Sequence, residues 1–218
     1  GDVFAWFKKL LCWPLDAILP GLPGDEAARR VLAVEVAEQI IPALEAAARD
    51  LAPDATSLVA LDWMNGRRTP DANQRLEAAV AGLSLGTDAP RIYRALVEAT
   101  AFGARAIVER FRRHGIRIDD VIAIGGVASK SPLIMQVLAD VIDMDIAVSA
   151  GDQPVALGAA MFAATAAGLH GKVEDAQRAM SCGTDAVYRP DPARVGVYRA
   201  LYQDYLALGA FVERELTG

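Results

Sequence analysis

Between Val121 and Ala167 the sequence alternates twice between a short apolar run and a longer segment with helical spacing, and this order restricts the fold more than any other feature. Val121 to Ile124 has the length of a strand, Pro132 to Ile142 reads as a helix, Asp145 to Val148 as a second strand and Val155 to Ala167 as a second helix. The apolar runs do not alternate with polar residues, which predicts strands covered on both faces by helices. An α/β architecture follows.

Inside this unit lies IAIGGVASKSPLIMQ, residues 122 to 136. Ser131 offers a hydroxyl to the free amides of a helix start, and Pro132 at the first helical position has no amide to leave unpaired. Gly125 and Gly126 permit positive φ and carry no Cβ, so a flat or anionic ligand can approach the main chain beside the positive end of that helix. A tight turn or close packing explains the glycine pair equally well. Two phosphate loops are excluded: a Walker A loop ending at Lys130-Ser131 needs glycines where Ile124 and Ser129 stand, and no G-x-G-x-x-G is present.

The rest of the chain frames this unit. Residues 3 to 12 have helical spacing up to Pro14, as if the sequence began inside a longer one, and Asp25 caps a helical pattern with a break expected at Pro42. Ser57 to Leu61 has strand length and leads into the loop from Asp62 to Pro70, where Asp62, Asn65 and Arg67 are polar candidates for a ligand cleft. Asn65-Gly66 is also a common turn pair, and Trp63 and Met64 read as packing residues. Gly82 to Gly86 suits a strand or a turn. Ile92, Leu96, Ala99, Gly103, Ala106, Ile107 and Phe111 make one buried stripe of a helix capped by Thr87 or Asp88. Gly158 suggests close helix packing, and Asp191 to Leu216 reads as a closing helix.

Composition narrows the functional classes. The chain has 218 residues, 53% of them hydrophobic and 23% charged, which suits a globular domain with a sizeable core. Its net charge of −6 disfavours nucleic acid and anionic lipid as partners. No apolar stretch comfortably spans a bilayer. Cys12 and Cys182 have neither metal nor disulfide-framework spacing, and His114 and His170 lack metal-ligand company. With no signal-peptide pattern at the start, a cytoplasmic protein is expected.

The segment GGVASKSPLIMQVLADVI, followed by a strand and then QPVALGAAMFAA, resembles the adenosine-binding segment of the FGGY carbohydrate kinases, members of the actin, hexokinase and Hsp70 ATPase superfamily. GDVFAWF, LVALDWMNGRRTPDANQRLEAAVAGLSLGTDAP, YRALVEATAFGARAIVERF and YRALYQDYLAL extend the resemblance over nearly the whole chain, toward the pentulose kinases of that family. It implies a single ribonuclease H-like domain with a mixed central sheet flanked by helices and with added N- and C-terminal helices. A helical opening segment would cover 1–56, the α/β core 57–185 and a closing helix 186–218.

What the resemblance implies for function is a nucleotide-binding lobe that uses ATP with Mg²⁺ to phosphorylate a pentulose, with ribulose as the implied sugar and xylulose or a ribitol-like polyol as alternatives. Gly125 and Gly126 would form the turn beneath adenosine, and Ser129 and Lys130 would lie near the adenine or ribose. Gln136 and Asp140 also fit the family pattern, though packing and capping explain them better. The sugar-binding lobe, its catalytic aspartate and a second phosphate loop would lie upstream of Gly1, so these residues alone are expected to be inactive and no catalytic base is assigned. A homo-oligomer remains open. Competing readings are a non-catalytic, actin-like nucleotide-binding module and a plain α/β scaffold.

Overall fold

The computed structural model describes residues 1–53, 58–151 and 153–215. Ser57, at the start of the expected strand, and Leu216, at the end of the expected closing helix, lie outside them. Along the chain come α1 (Asp2–Ala17), a 3-10 turn (Leu19–Gly21), α2 (Glu26–Arg49), β1 (Val59–Ala60), β2 (Val80–Ala81) and α3 (Ala89–Arg113). These are followed by β3 (Val121–Ala123), α4 (Gly126–Lys130), α5 (Pro132–Ile142) and β4 (Ile146–Ser149), then α6 (Pro154–Ala166), α7 (Val173–Met180), β5 (Thr184–Tyr188) and α8 (Pro192–Glu215).

A three-stranded mixed sheet has the order β3-β4-β5. Val121, Ile122 and Ala123 run parallel to Ile146, Ala147 and Val148, while β5 returns antiparallel, pairing Tyr188 with Ile146 and Ala186 with Val148. The parallel pair needs a crossover, which α4 and α5 supply. Helix α5 is buried almost all round, through Leu133, Ile134, Met135, Val137, Ala139, Val141 and Ile142, because α3, α8, β4 and β5 all pack against it. Its start is set as the sequence requires: Ser131 Oγ accepts from the Ile134 amide at 3.2 Å. Its end is Asp143 in the left-handed region, φ +58°, whose amide bonds to Ala139 O.

Helix α3 carries the core. Asp88 caps it by accepting from the Arg91 amide, and Phe102 on its inner face meets Tyr198, Tyr202 and Tyr205 of α8 with ring centroids 5.5 to 6.2 Å apart. One buried polar knot ties three helices: Arg94 donates from Nε to Glu98 Oε1 at 2.8 Å, from Nη2 to Tyr198 at 2.6 Å and from Nη1 to Ala48 O at 3.1 Å. Every partner matters there, because an unpaired buried charge is costly.

Several local expectations are corrected. Pro14 and Pro42 sit inside α1 and α2 instead of ending them. A proline forfeits one amide and crowds the preceding turn, but Pro14 falls in the last turn of α1, and Leu44 and Ala48, beyond Pro42, are buried where α2 meets α3. Of the two forms open to Gly82 to Gly86, strand or turn, the structure takes the turn, at Leu85 and Gly86 just after β2, and Thr87 Oγ1 accepts from the Ser84 amide. The strands are not covered on both faces, since Ile122 is 67% exposed. A Cβ added at Gly158 would meet nothing within 4 Å and α6 buries no residue, so that glycine does not serve close packing. Close approach occurs instead at Gly103 and Gly209, where a Cβ would stand 2.9 Å from Asp62 Oδ2 and from Trp63 Cη2.

Candidate functional site

The chain leaves β3 through Gly125, whose φ of +88° is open to glycine and strained for any L side chain. Gly125 then serves as the N-cap of the short α4, and the Ser129 amide bonds back to Gly125 O at 3.3 Å. A Cβ at Gly125 or Gly126 would meet nothing within 4 Å. The glycine pair therefore presents bare main chain to open space, and packing against a neighbouring helix is not what it is for.

Gly126 borders a cavity of about 560 Å³ whose wall is mostly apolar. Phe4 of α1, Ile41 and Glu45 of α2, Tyr93 of α3, and Gly126 and Lys130 of α4 contribute to it. The Phe4 and Tyr93 rings lie 5.6 Å apart at 52°, so two aromatic side chains share one side. On the same cavity, Glu45 Oε1 accepts from Ser131 Oγ at 2.9 Å and from the Leu133 amide at 3.3 Å, which fastens α2 to the start of α5. Burial, and then the charge of Glu45, push the Tyr93 hydroxyl up to about 12, so it stays a neutral phenol. A concave apolar site with a few fixed polar groups is the usual form of a small-molecule pocket.

Of the four residues expected to meet a nucleotide, Gly126 and Lys130 line this cavity, whereas Gly125 and Ser129 flank it. Ser129 Oγ turns back to donate to Gly126 O at 3.3 Å. Gln136 and Asp140 have structural duties. Gln136 Nε2 donates to Asp140 Oδ1 and to Arg189 O, both at 2.8 Å, and Asp140 Oδ1 also accepts from the Asp191 amide, joining α5 to the approach to α8.

Asp62, Asn65 and Arg67 come together in a different cavity, of about 380 Å³, and Gly1 borders both spaces. Asp62 and Arg67 are tied to the protein, and Asn65 is exposed in a turn. Asp62 Oδ1 accepts from the Tyr205 hydroxyl at 3.1 Å, and burial raises its carboxyl pKa against the lowering effect of its own backbone amide and of Tyr205. Asn65 precedes Gly66, φ +71°, whose amide closes a turn to Trp63 O. Arg67 lies 5.0 Å over the Trp63 ring, pairs with Glu213 of α8, and exchanges two backbone bonds with Asn73.

Ile41 and Glu45 had no motif to announce them, while Phe4 and Tyr93 fall in the segments GDVFAWF and YRALVEATAFGARAIVERF of the family resemblance without being singled out as site residues. Tyr93 sits beside the apolar stripe of α3, and Glu45 stands among alanines. Their common feature is position on three separate helices, which only the packing reveals. Among the described residues no group of three or more His, Cys, Asp or Glu could hold a metal, and no helix is long and apolar enough to cross a membrane.

Comparison with known proteins gives consistent results. Residues 3–167 match the profile of the FGGY family of carbohydrate kinases, C-terminal domain. A ribulokinase of Vibrio parahaemolyticus is 46% identical over 214 residues, covering 98% of this chain and 37% of the relative. One of Halalkalibacterium halodurans is 39% identical over 218 residues, covering 98% and 36%. The chain thus spans a little over a third of the length of the curated relatives it matches. Among solved structures, a xylulose kinase from Rhodospirillum rubrum superposes with a TM-score of 0.75 at 28% identity, over 98% of this chain and 38% of that one. A gluconate kinase from Lactobacillus acidophilus, at TM-score 0.74 and 20% identity over the same shares, shows the common fold alone.

Proposed function

This chain belongs to the FGGY family of carbohydrate kinases, and from that premise we propose that it forms the nucleotide-binding part of an ATP-dependent pentulose kinase whose sugar is ribulose. The observation that carries the reading is the open main chain at Gly126 on the rim of the 560 Å³ cavity. There the purine of ATP lies against the Phe4 and Tyr93 rings, and Lys130 stands at the rim near the ribose. Gly125 supplies the bend that exposes the Gly126 backbone, and Ser129 holds that bend from behind.

In the reaction a sugar hydroxyl oxygen attacks the γ-phosphorus, the bond to the β-phosphate oxygen breaks, and the hydroxyl proton leaves to a general base. Such transfer depends on positioning and charge neutralisation rather than on covalent chemistry by the protein. These residues contribute the positioning of the nucleotide. Asp62 is occupied by Tyr205, and no described carboxylate is assigned as the base. Mg²⁺ is bound mainly by the nucleotide phosphates and water in such reactions, with at most one or two carboxylates from the protein, and it would come in with ATP. The sugar, its base and a second phosphate loop belong to the part of the relatives' length outside this chain. In the smaller cavity, Asp62, Asn65 and Arg67 serve the fold first, with any contact to the sugar secondary.

Thermal unfolding with millimolar ADP tests the reading. A ligand at ten times its Kd stabilises the native state by about 1.4 kcal/mol, which moves the melting temperature of a domain this size by roughly 3 °C. A shift with ADP and none with ribose 5-phosphate is the expected result. No shift with ADP up to about 10 mM, where even a weak millimolar site is nearly filled, would leave a plain scaffold as the better description. Xylulose is the second reading for the sugar, favoured by the xylulose kinase likeness.

A further inference from the structure

We infer that Glu45 reads the nucleobase, its free carboxylate oxygen accepting a hydrogen bond from the exocyclic amine of adenine. The inference rests on the nucleotide reading given above and assigns the base-selecting group within it.

Glu45 is only 9% exposed, yet it borders the cavity. Its two oxygens are not equivalent. Oε1 is committed to Ser131 Oγ and the Leu133 amide, while Oε2 accepts no hydrogen bond among the described residues. Those two bonds fix the carboxylate against the first turn of α5, so Oε2 is held in place before any ligand arrives. Lys130, the cation on the same cavity, forms no ion pair with it among the described residues. Glu45 lines a mostly apolar cavity, and a carboxylate oxygen left without a partner there favours an N–H donor strongly, since leaving it unpaired is costly once water is expelled.

The donor is a single one. Guanine presents two adjacent N–H groups that suit both oxygens of a carboxylate, and here one oxygen is taken. Adenine presents one exocyclic amine, which suits the one oxygen that is left. The Phe4 ring and the neutral Tyr93 hydroxyl complete the setting, giving the base an apolar wall and one further polar group on the same cavity as the acceptor.

The decisive comparison is between ADP and purine riboside 5′-diphosphate, which differs only in lacking the amine, with GDP as a third ligand. Each is titrated into the 218-residue chain and into Glu45→Gln, with binding read from amide chemical shifts. Gln keeps a carbonyl for Ser131 and for the Leu133 amide but puts a donor where Oε2 stands. ADP is expected to bind the parent chain roughly tenfold tighter than the purine riboside, and the ratio is expected to fall below about twofold in Glu45→Gln. An unchanged ratio in the variant, or GDP binding the parent tighter than ADP, overturns the inference. Should the variant not fold, the parent alone decides, because equal affinity for ADP and the purine riboside overturns it equally. Equal binding of all three nucleotides removes the role of Glu45 and leaves the nucleotide reading standing, whereas binding of none removes both.

Discussion

A leucine at position 126 isolates the smallest feature on which the site depends. Gly126 needs no positive φ and a Cβ there meets nothing within 4 Å, so the added side chain strains little and instead crowds the mouth of the cavity. Gly126→Leu is expected to melt within about 3 °C of the parent and to lose the ADP-induced shift. A second residue-scale expectation concerns Glu98, whose carboxyl burial pushes up to about 7 while Arg94 and Tyr198 pull it down. The folded chain then holds a proton that the unfolded chain has already lost. The contribution of Glu98 to stability is therefore full below about pH 4.5 and is lost as pH rises through about 7. Denaturant unfolding across that window should show a flatter pH dependence for Glu98→Gln than for the parent, and equal slopes would contradict the assignment. At this scale the bare backbone at Gly126 could be read because strand, glycine pair and helix follow one another in the sequence, whereas Lys130 came only with the family resemblance; both line the cavity. Glu45 and its partner Ser131 are 86 residues apart, a distance no local spacing encodes.

Among the elements, α5 is the one that both the core and the cavity depend on. Ser131 caps it through the Ile134 amide and also donates to Glu45, so one hydroxyl joins helix start and cavity wall. Ser131→Ala is expected to lower the unfolding free energy by about 2 kcal/mol, from the lost cap and a buried carboxylate left with one fewer donor. A loss under about 0.5 kcal/mol would show that the cap carries little of the helix. The bounds of α5 could be read directly, because Ser-Pro marks its start and its apolar run stops at Asp143. Strand β5 could not, since Thr184, Asp185 and Val187 are exposed and leave no apolar run. Helix α7 buries only Ala176, and its eight residues carry too little pattern to stand out. Pro42 misled for the opposite reason, the packing of α2 on α3 outweighing a strong local signal.

The whole molecule shows where its own residues stop. The sheet ends at β3, whose outer edge has no partner strand among the described residues, and Ile122 and Ile124 are 67% and 52% exposed beside it. On α6, Val155 and Phe162 are 77% and 67% exposed. Relatives whose length this chain covers to 36–37% have ample further polypeptide to cover such a face. Phosphoryl transfer needs a closed, dry site between nucleotide and sugar, and on the proposed reading the cavity supplies only the nucleotide side of it. The 218 residues alone are therefore expected to release no ADP from ATP in response to ribulose or xylulose, and sugar-dependent release would place a base within this chain. The most direct measurement is an ADP titration followed by amide chemical shifts of the uniformly labelled chain. Saturable shifts centred on Tyr93, Gly125, Gly126 and Lys130 are the expected result, and shifts centred on Asp62, Trp63 and Arg67 of the smaller cavity, or none at all, would contradict it.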